Sequence, residues 1–222
     1  MVLAAPAQLI VPRAELPLET PAEQIMSMPV VRPHRWTLEE VEQLIDEREG
    51  LTPRYELVDG ELLVTPAPSF RHQRLILELT LHLQRYLTKH GIGEVFLGPS
   101  ELHLATGERY EPDLFVLGAI DGRRPVVTTS VVRPLLVCES LSPSSSRHDR
   151  ITKRRAFQRN GVPEYWILDG DAEAIEVWRP DDERPALIDD TLVWAPAGAP
   201  EPFELNVREL FASARDDGPL PG

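Results

Sequence analysis

The sequence predicts a mixed α/β domain in which a β-sheet is flanked by helices. Two observations carry that prediction. Segments with helical periodicity frame a series of short, β-rich apolar runs, and turn residues punctuate the runs. At 222 residues the chain is long for one compact domain and short for two, so one domain over residues 35–212 is expected. Residues 1–34 hold many prolines without periodicity and are expected to form a flexible arm, and residues 213–222 a disordered tail.

The elements follow in order. "RWTLEEVEQLIDE" has Thr37 with Glu40 three residues later, a capping-box signature, and Leu38, Val41, Leu44 and Ile45 form an apolar stripe. A helix from about Leu38 to Arg48 is expected. "YELVDGELLV" reads as a hairpin, two apolar-rich runs joined by Asp59-Gly60. Helix and hairpin together form an N-terminal extension of the domain. "SFRHQRLILELTLHLQRYLTKHG" predicts a long helix capped by Ser69 and ended by Gly91, with Leu75, Ile76, Leu79, Leu83, Tyr86 and Leu87 on one face. Strands are expected at "GEVFLG", "ELHLA", "DLFVLG", "PLLVCESL", "EYWILD" and "AIEVWR". A second helix, roughly Ser146 to Asn160, lies between the fourth and fifth of these, and Gly161 stops it. "FELNVRELF" adds a strand and a short helical turn.

Composition narrows the function. The chain is 42% hydrophobic and 27% charged, an ordinary globular balance, and no apolar run is long enough to span a bilayer. The N-terminus lacks a basic start and is broken by prolines, so it does not read as a signal peptide. The one cysteine, Cys138, leaves no intrachain disulfide and suggests a cytoplasmic location. A net charge of −13 argues against non-specific nucleic-acid binding. The charge is uneven, however. Pro180 to Gly222, a tail-like stretch, holds ten acidic residues against three arginines. Arg147 to Arg159 holds six Lys or Arg against one Asp.

Two strands carry a carboxylate that is out of place. Asp113 opens "PDLFVL" and Glu139 lies within "LLVCESL". On neighbouring strands both acids reach the same sheet edge, where they repel unless a cation sits between them. Mg²⁺ suits such a place, because it takes few protein oxygens and keeps water. Lys153 is the third member. On a wheel of about 100° per residue it falls between Ala156 and Phe157, on the small and apolar face of the second helix. Arg150, Arg154, Arg155 and Arg159 point elsewhere. The same trio reads equally as a structural ion pair, Glu139 with Lys153, beside a turn-capping Asp113.

"YELVDGEL", "PAPSFRHQ", "EPDLFVL", "LLVCESLSPSSSRHDRITKR" and "GVPEYWILD" resemble, in order, the sequence blocks of the Uma-type family of bacterial endonucleases, within the PD-(D/E)XK superfamily. The resemblance covers roughly Arg35 to Arg179 and implies the restriction-endonuclease-like fold. It matches Pro112-Asp113 to the "PD" and Glu139 to the second acid. The usual lysine position is occupied by Leu141, and Lys153 on the following helix matches the displaced lysine of the Uma-type pattern. The resemblance implies that Asp113, Glu139 and the Ser140 carbonyl hold Mg²⁺ or Mn²⁺, and that Lys153 orients water or offsets phosphate charge.

Glu56 then either completes the metal site through water or faces solvent from its strand. His72, on the inward face of the long helix, either serves catalysis or satisfies a local hydrogen bond. Asp149, one turn before Lys153, is a pairing partner for it. Arg147, Arg150, Arg154 and Arg155 either contact phosphates or form a solvated face. No G-x-S-x-G elbow, zinc-ligand spacing or phosphate-binding glycine loop is present. The expected function is metal-dependent hydrolysis of DNA phosphodiesters, with RNA as the other candidate substrate and a homodimer expected by analogy. The alternatives are an inactive nuclease-fold module that binds nucleic acid or protein, and a purely structural oligomer.

Overall fold

Local sequence chemistry sets the first elements of the computed structural model, which describes residues 34–50, 52–104, 108–125, 132–142 and 145–215. Residues 1–33 of the arm expected over 1–34, and residues 216–222 of the tail expected over 213–222, lie outside the described residues. Helix α1 spans Leu38–Asp46, and both halves of the Thr37–Glu40 capping box form. Strands β1 (Arg54–Val58) and β2 (Glu61–Thr65) pair antiparallel around Asp59 and Gly60. Both turn residues have positive φ, 53° and 75°, the conformation a two-residue hairpin turn demands.

Helix α2 spans Phe70–His90. Ser69 accepts the His72 N–H at its start, and Gly91, left-handed at φ 63°, ends it. All six apolar residues of its expected stripe are buried. The strands that follow are β3 (Gly93–Leu97), β4 (Leu102–His103), β5 (Arg109–Tyr110), β6 (Leu114–Gly118), β7 (Pro134–Ser140), β8 (Tyr165–Asp169) and β9 (Ala174–Trp178).

Six strands form the main sheet in the order β10-β9-β8-β7-β6-β3, where β10 is Ala186–Ile188. Within it β7 and β8 run parallel, and the other neighbours run antiparallel. The β7–β8 crossover carries a π-helical segment, His148–Lys153, followed by α3, Arg154–Arg159. A smaller sheet has the order β2-β1-β5-β4. A hairpin of β11 (Thr191–Trp194) and β12 (Phe203–Asn206) leads into α4, Val207–Ser213.

Alternation along the strands divides the core into two layers. Leu114, Val116, Leu136, Cys138, Trp166, Leu168, Ile175 and Val177 pack on one face with α2, α4 and the β11–β12 hairpin. Phe115, Leu117, Val137, Tyr165, Ile167 and Trp178 pack on the other with Val58, Leu63, Tyr110, Ala156 and Phe157.

Three expectations need correction. The acid-rich stretch after Pro180 is folded as far as Arg215, not tail-like. Leu192, Trp194, Phe203, Leu205, Leu210 and Phe211 are buried, while Glu204 and Glu209 face outward. The boundary expected at residue 213 falls inside this unit: Ala214 is buried and Arg215 pairs with Glu173 at 2.7 Å. The second helix is not α-helical throughout, since its first half is π-helical and the Arg154 N–H reaches back to Asp149 O.

Candidate active site

Strand register brings the two out-of-place acids together. Leu114 pairs with Cys138 across the antiparallel β6–β7 ladder, so the next positions outward are Asp113 and Glu139. The Asp113 N–H donates to Glu139 Oε2 at 3.3 Å, and the Ser140 N–H donates to Asp113 Oδ2 at 3.0 Å. Both carboxylates are buried, at 7% and 3% exposure.

Four further side chains converge on this pair. Strand β1 contributes Arg54 and Glu56, two residues apart and so on one face. Arg54 Nη1 lies 2.8 Å from Asp113 Oδ1, and Glu56 Oε1 accepts the Glu111 N–H at 2.9 Å. Helix α2 contributes His72 from its first turn, with Nε2 at 3.1 Å from Asp113 Oδ2. The π-helical segment contributes Lys153, whose Nζ lies 2.8 Å from Glu139 Oε1, 2.8 Å from Glu56 Oε2 and 3.4 Å from Asp149 Oδ1. Glu56 therefore faces the site and not solvent, and Asp149 is the expected partner of Lys153.

The electrostatics are those of a buried acidic excess. Glu56, Asp113, Glu139 and Asp149 stand against Arg54 and Lys153, with His72 as a third cation only when protonated. Burial opposes the Lys153 charge, but Glu139, Glu56 and Asp149 outweigh it and hold the ammonium well above its ordinary pKa. Burial pushes Glu139 well above the usual carboxylate range; Lys153 opposes that, while Asp113, Asp149 and Glu56 reinforce it. Asp113 moves the other way. Burial would raise it, but the His72 hydrogen bond, the His72 and Arg54 charges and the Ser140 N–H hold it below its ordinary value.

The donor set fits a hard divalent cation. Every acidic ligand offers oxygen, the buried acids outnumber the fixed cations, and Asp149 Oδ1 accepts no hydrogen bond. Among the described residues no three His, Cys, Asp or Glu side chains converge into a ready-made cage. Mg²⁺ does not require one, because it is commonly held by one or two carboxylates plus water and substrate phosphate.

Two clefts open beside the pair. One of about 560 Å³ is lined by Ser69, Arg71, His72, Ser140, Ser142 and Arg150 among others. The second, of about 230 Å³, is lined by Arg54, His72, Gln73, Leu97, Pro99 and Asp113 among others. His72 borders both.

The four arginines separate into two kinds. Arg150 is consumed by structure, with Nε at 2.6 Å from Glu176, Nη2 at 2.5 Å from Asp169 and Nη1 donating to Ser146. Arg154 lies 4.6 Å over the Trp178 ring and donates to Gln158 and to Arg150 O. Arg147 and Arg155 are exposed. Cys138 is a buried thiol, pushed well above its ordinary pKa by burial and then by Asp113 and Glu139. Sequence reasoning missed Arg54 altogether. Its two-residue spacing from Glu56 was the available signal.

Comparison with known proteins agrees with this architecture. No curated protein matches the chain. The structure is similar to the crystal structure of a protein from Anabaena variabilis ATCC 29413 described as "a putative nuclease belonging to DUF820", with a TM-score of 0.63 and 24% identity. The match covers 81% of this chain and 99% of that one. The fold is restriction-endonuclease-like, a mixed α/β arrangement of sheets flanked by helices. A family model described as "Putative restriction endonuclease" matches residues 38–208. The chain therefore belongs to the Uma2 family of restriction-endonuclease-like proteins.

Proposed function

We propose that this protein is a metal-dependent nuclease that hydrolyses phosphodiester bonds in DNA. One observation carries the reading: Asp113 and Glu139 meet at one end of adjacent strands, beside two clefts, with Lys153 Nζ 2.8 Å from Glu139. Asp113, Glu139 and the Ser140 carbonyl would hold Mg²⁺ or Mn²⁺. Such an ion, when bound, polarises a phosphoryl oxygen and lowers the pKa of a bound water.

The chain's own groups have separate tasks. Lys153 is a fixed positive charge and not a base, since three carboxylates stabilise its ammonium form. It orients Glu139 and Glu56 and offsets charge on the reacting phosphate. An Nε2–H of His72 donates to Asp113 and fixes that carboxylate's orientation. Arg147 and Arg155, exposed on the same crossover, contact flanking phosphates. DNA as the substrate, over RNA, rests on the family's description, and a homodimer on analogy with enzymes that cut two strands.

A second reading, an inactive nucleic-acid or protein-binding module, draws on one feature. Both Asp113 oxygens are already engaged by Arg54, His72 and the Ser140 N–H. Titrating Mg²⁺ and Mn²⁺ into wild type and Glu139→Ala separates the two, with melting temperature and nicking of supercoiled plasmid as readouts. The nuclease reading expects metal to stabilise wild type and support nicking, and the variant to lose about 100-fold or more of the rate. Metal that shifts neither protein would leave Glu139 as an ion-pair residue.

A further inference from the structure

The two oxygens of Asp113 are held differently. Oδ2 faces two donors on rigid elements, the Ser140 N–H at the end of β7 and His72 Nε2 in the first turn of α2. Oδ1 faces Arg54 Nη1, the tip of a long side chain. An incoming cation therefore displaces least by taking Oδ1. It cannot share that oxygen closely with a guanidinium, because like charges at contact distance repel.

Arg54 also has capacity left over. Its Nε is buried and has no hydrogen-bond partner, while Nη1 donates to Glu111 O at 3.1 Å as well as to Asp113. The side chain borders the smaller cleft together with His72, Gln73 and Pro99. Gly98 keeps that wall clear, since a Cβ there would stand 3.2 Å from Arg54 Nη1 and 2.8 Å from Pro112 O. A guanidinium with a free N–H beside a cleft is matched to phosphate, whose oxygens its planar fork can bind in pairs.

We propose that Arg54 is an exchanging counterion: it neutralises Asp113 when no metal is bound, and it binds a nucleic-acid backbone phosphate in the Gln73–Pro99 cleft when a divalent cation replaces it. This rests on the metal-dependent reading above and adds a phosphate subsite and a coupling to it. Metal binding frees the guanidinium for phosphate, and phosphate binding clears Oδ1 for metal. By linkage each ligand strengthens the other by the same factor.

The test uses the full chain with Arg54→Gln and Arg54→Lys. Mn²⁺ affinity is read by electron paramagnetic resonance without DNA. Affinity for a short labelled duplex is read by anisotropy in EDTA and in Ca²⁺. Arg54→Gln is expected to bind Mn²⁺ about tenfold tighter than wild type, and to lose about tenfold of the Ca²⁺-dependent gain in duplex affinity. Arg54→Lys, which keeps the charge, is expected to hold Mn²⁺ affinity near wild type and to control for folding. Unchanged or weaker Mn²⁺ binding by Arg54→Gln would overturn the exchange. An unchanged Ca²⁺-dependent gain would overturn the phosphate seat. Failure of the nuclease reading looks different: wild type itself binds no Mn²⁺, and both ideas fall together.

Discussion

The two faces of the six-stranded sheet are built for different ends. The face under α2 and α4 is lined by Leu114, Val116, Leu136, Cys138, Trp166, Leu168, Ile175 and Val177, and at its edge Glu164, one residue before β8, accepts the Trp166 indole N–H. The opposite face follows the same alternation and carries Glu139, Glu176 and, one residue before β6, Asp113. One face loses stability when a methyl group is missing, and the other when a charge is missing. A strand such as β7 serves both, with Leu136 and Cys138 on one side and Val137 and Glu139 on the other.

The largest break should come on the charged face. Lys153→Met leaves Glu56, Glu139 and Asp149 without their shared cation, and removing one partner of a buried pair costs about 3–5 kcal/mol. Urea unfolding at neutral pH measures it. The double variant Glu139→Gln/Lys153→Met should recover much of the loss, and a single-variant cost under about 1 kcal/mol would mean that the lysine does not hold this face together. Next comes the apolar face. Leu79→Ala in the middle of α2 should cost about 3 kcal/mol through lost burial and a cavity, with Mn²⁺ affinity unchanged.

The smallest effect sharpens the boundary between structural and functional charge. Asp169 Oδ2 pairs with Arg150, and its Oδ1 accepts the Asp171 and Ala172 N–H groups. Burial would raise its pKa, but these donors lower it. A depressed folded pKa stabilises the protein above the unfolded value and loses that contribution as pH falls. Asp169→Asn should therefore cost about 1 kcal/mol at pH 7, with the gap to wild type closing below about pH 4. A gap that persists in acid would assign the effect to shape and not to charge.

Much of this was legible because strong periodicities and caps act locally. The Thr37–Glu40 box, the Asp59-Gly60 turn and the α2 stripe with its Ser69 and Gly91 ends all form as their residues dictate. The inward aim of Lys153 was also readable, although the wheel assumed regular α-helical turns where the chain makes a π-helix. Pairings set by distant partners were not. Strand β5 is only Arg109–Tyr110, too short to show a period. Strand β12 and α4 were legible in "FELNVRELF", but β11, which alternates with Leu192 and Trp194 inward, was masked by its acid-rich surroundings. Arg54 gains its meaning from Asp113, 59 residues away, and the only local hint of it was its place two residues before Glu56 on the same strand face.

The π-helical segment has a consequence for how this site can be lost. Leu141 occupies the place two residues beyond Glu139, so the ammonium arrives from a separate stretch whose extra residue per turn sets its aim. Deleting one residue between Asp149 and Lys153 would replace the π-helical bonds by ordinary α-helical ones and draw the lysine back along the axis by about 1.5 Å. Asp149 and the lysine, then three residues apart, would still share a helix face, so the change tests the lysine's reach to Glu139 and Glu56 and not its pairing with Asp149. Here the alignment of lysine with acid is encoded as a length, so an insertion or deletion is a sharper tool against it than any single substitution on the surface of that helix.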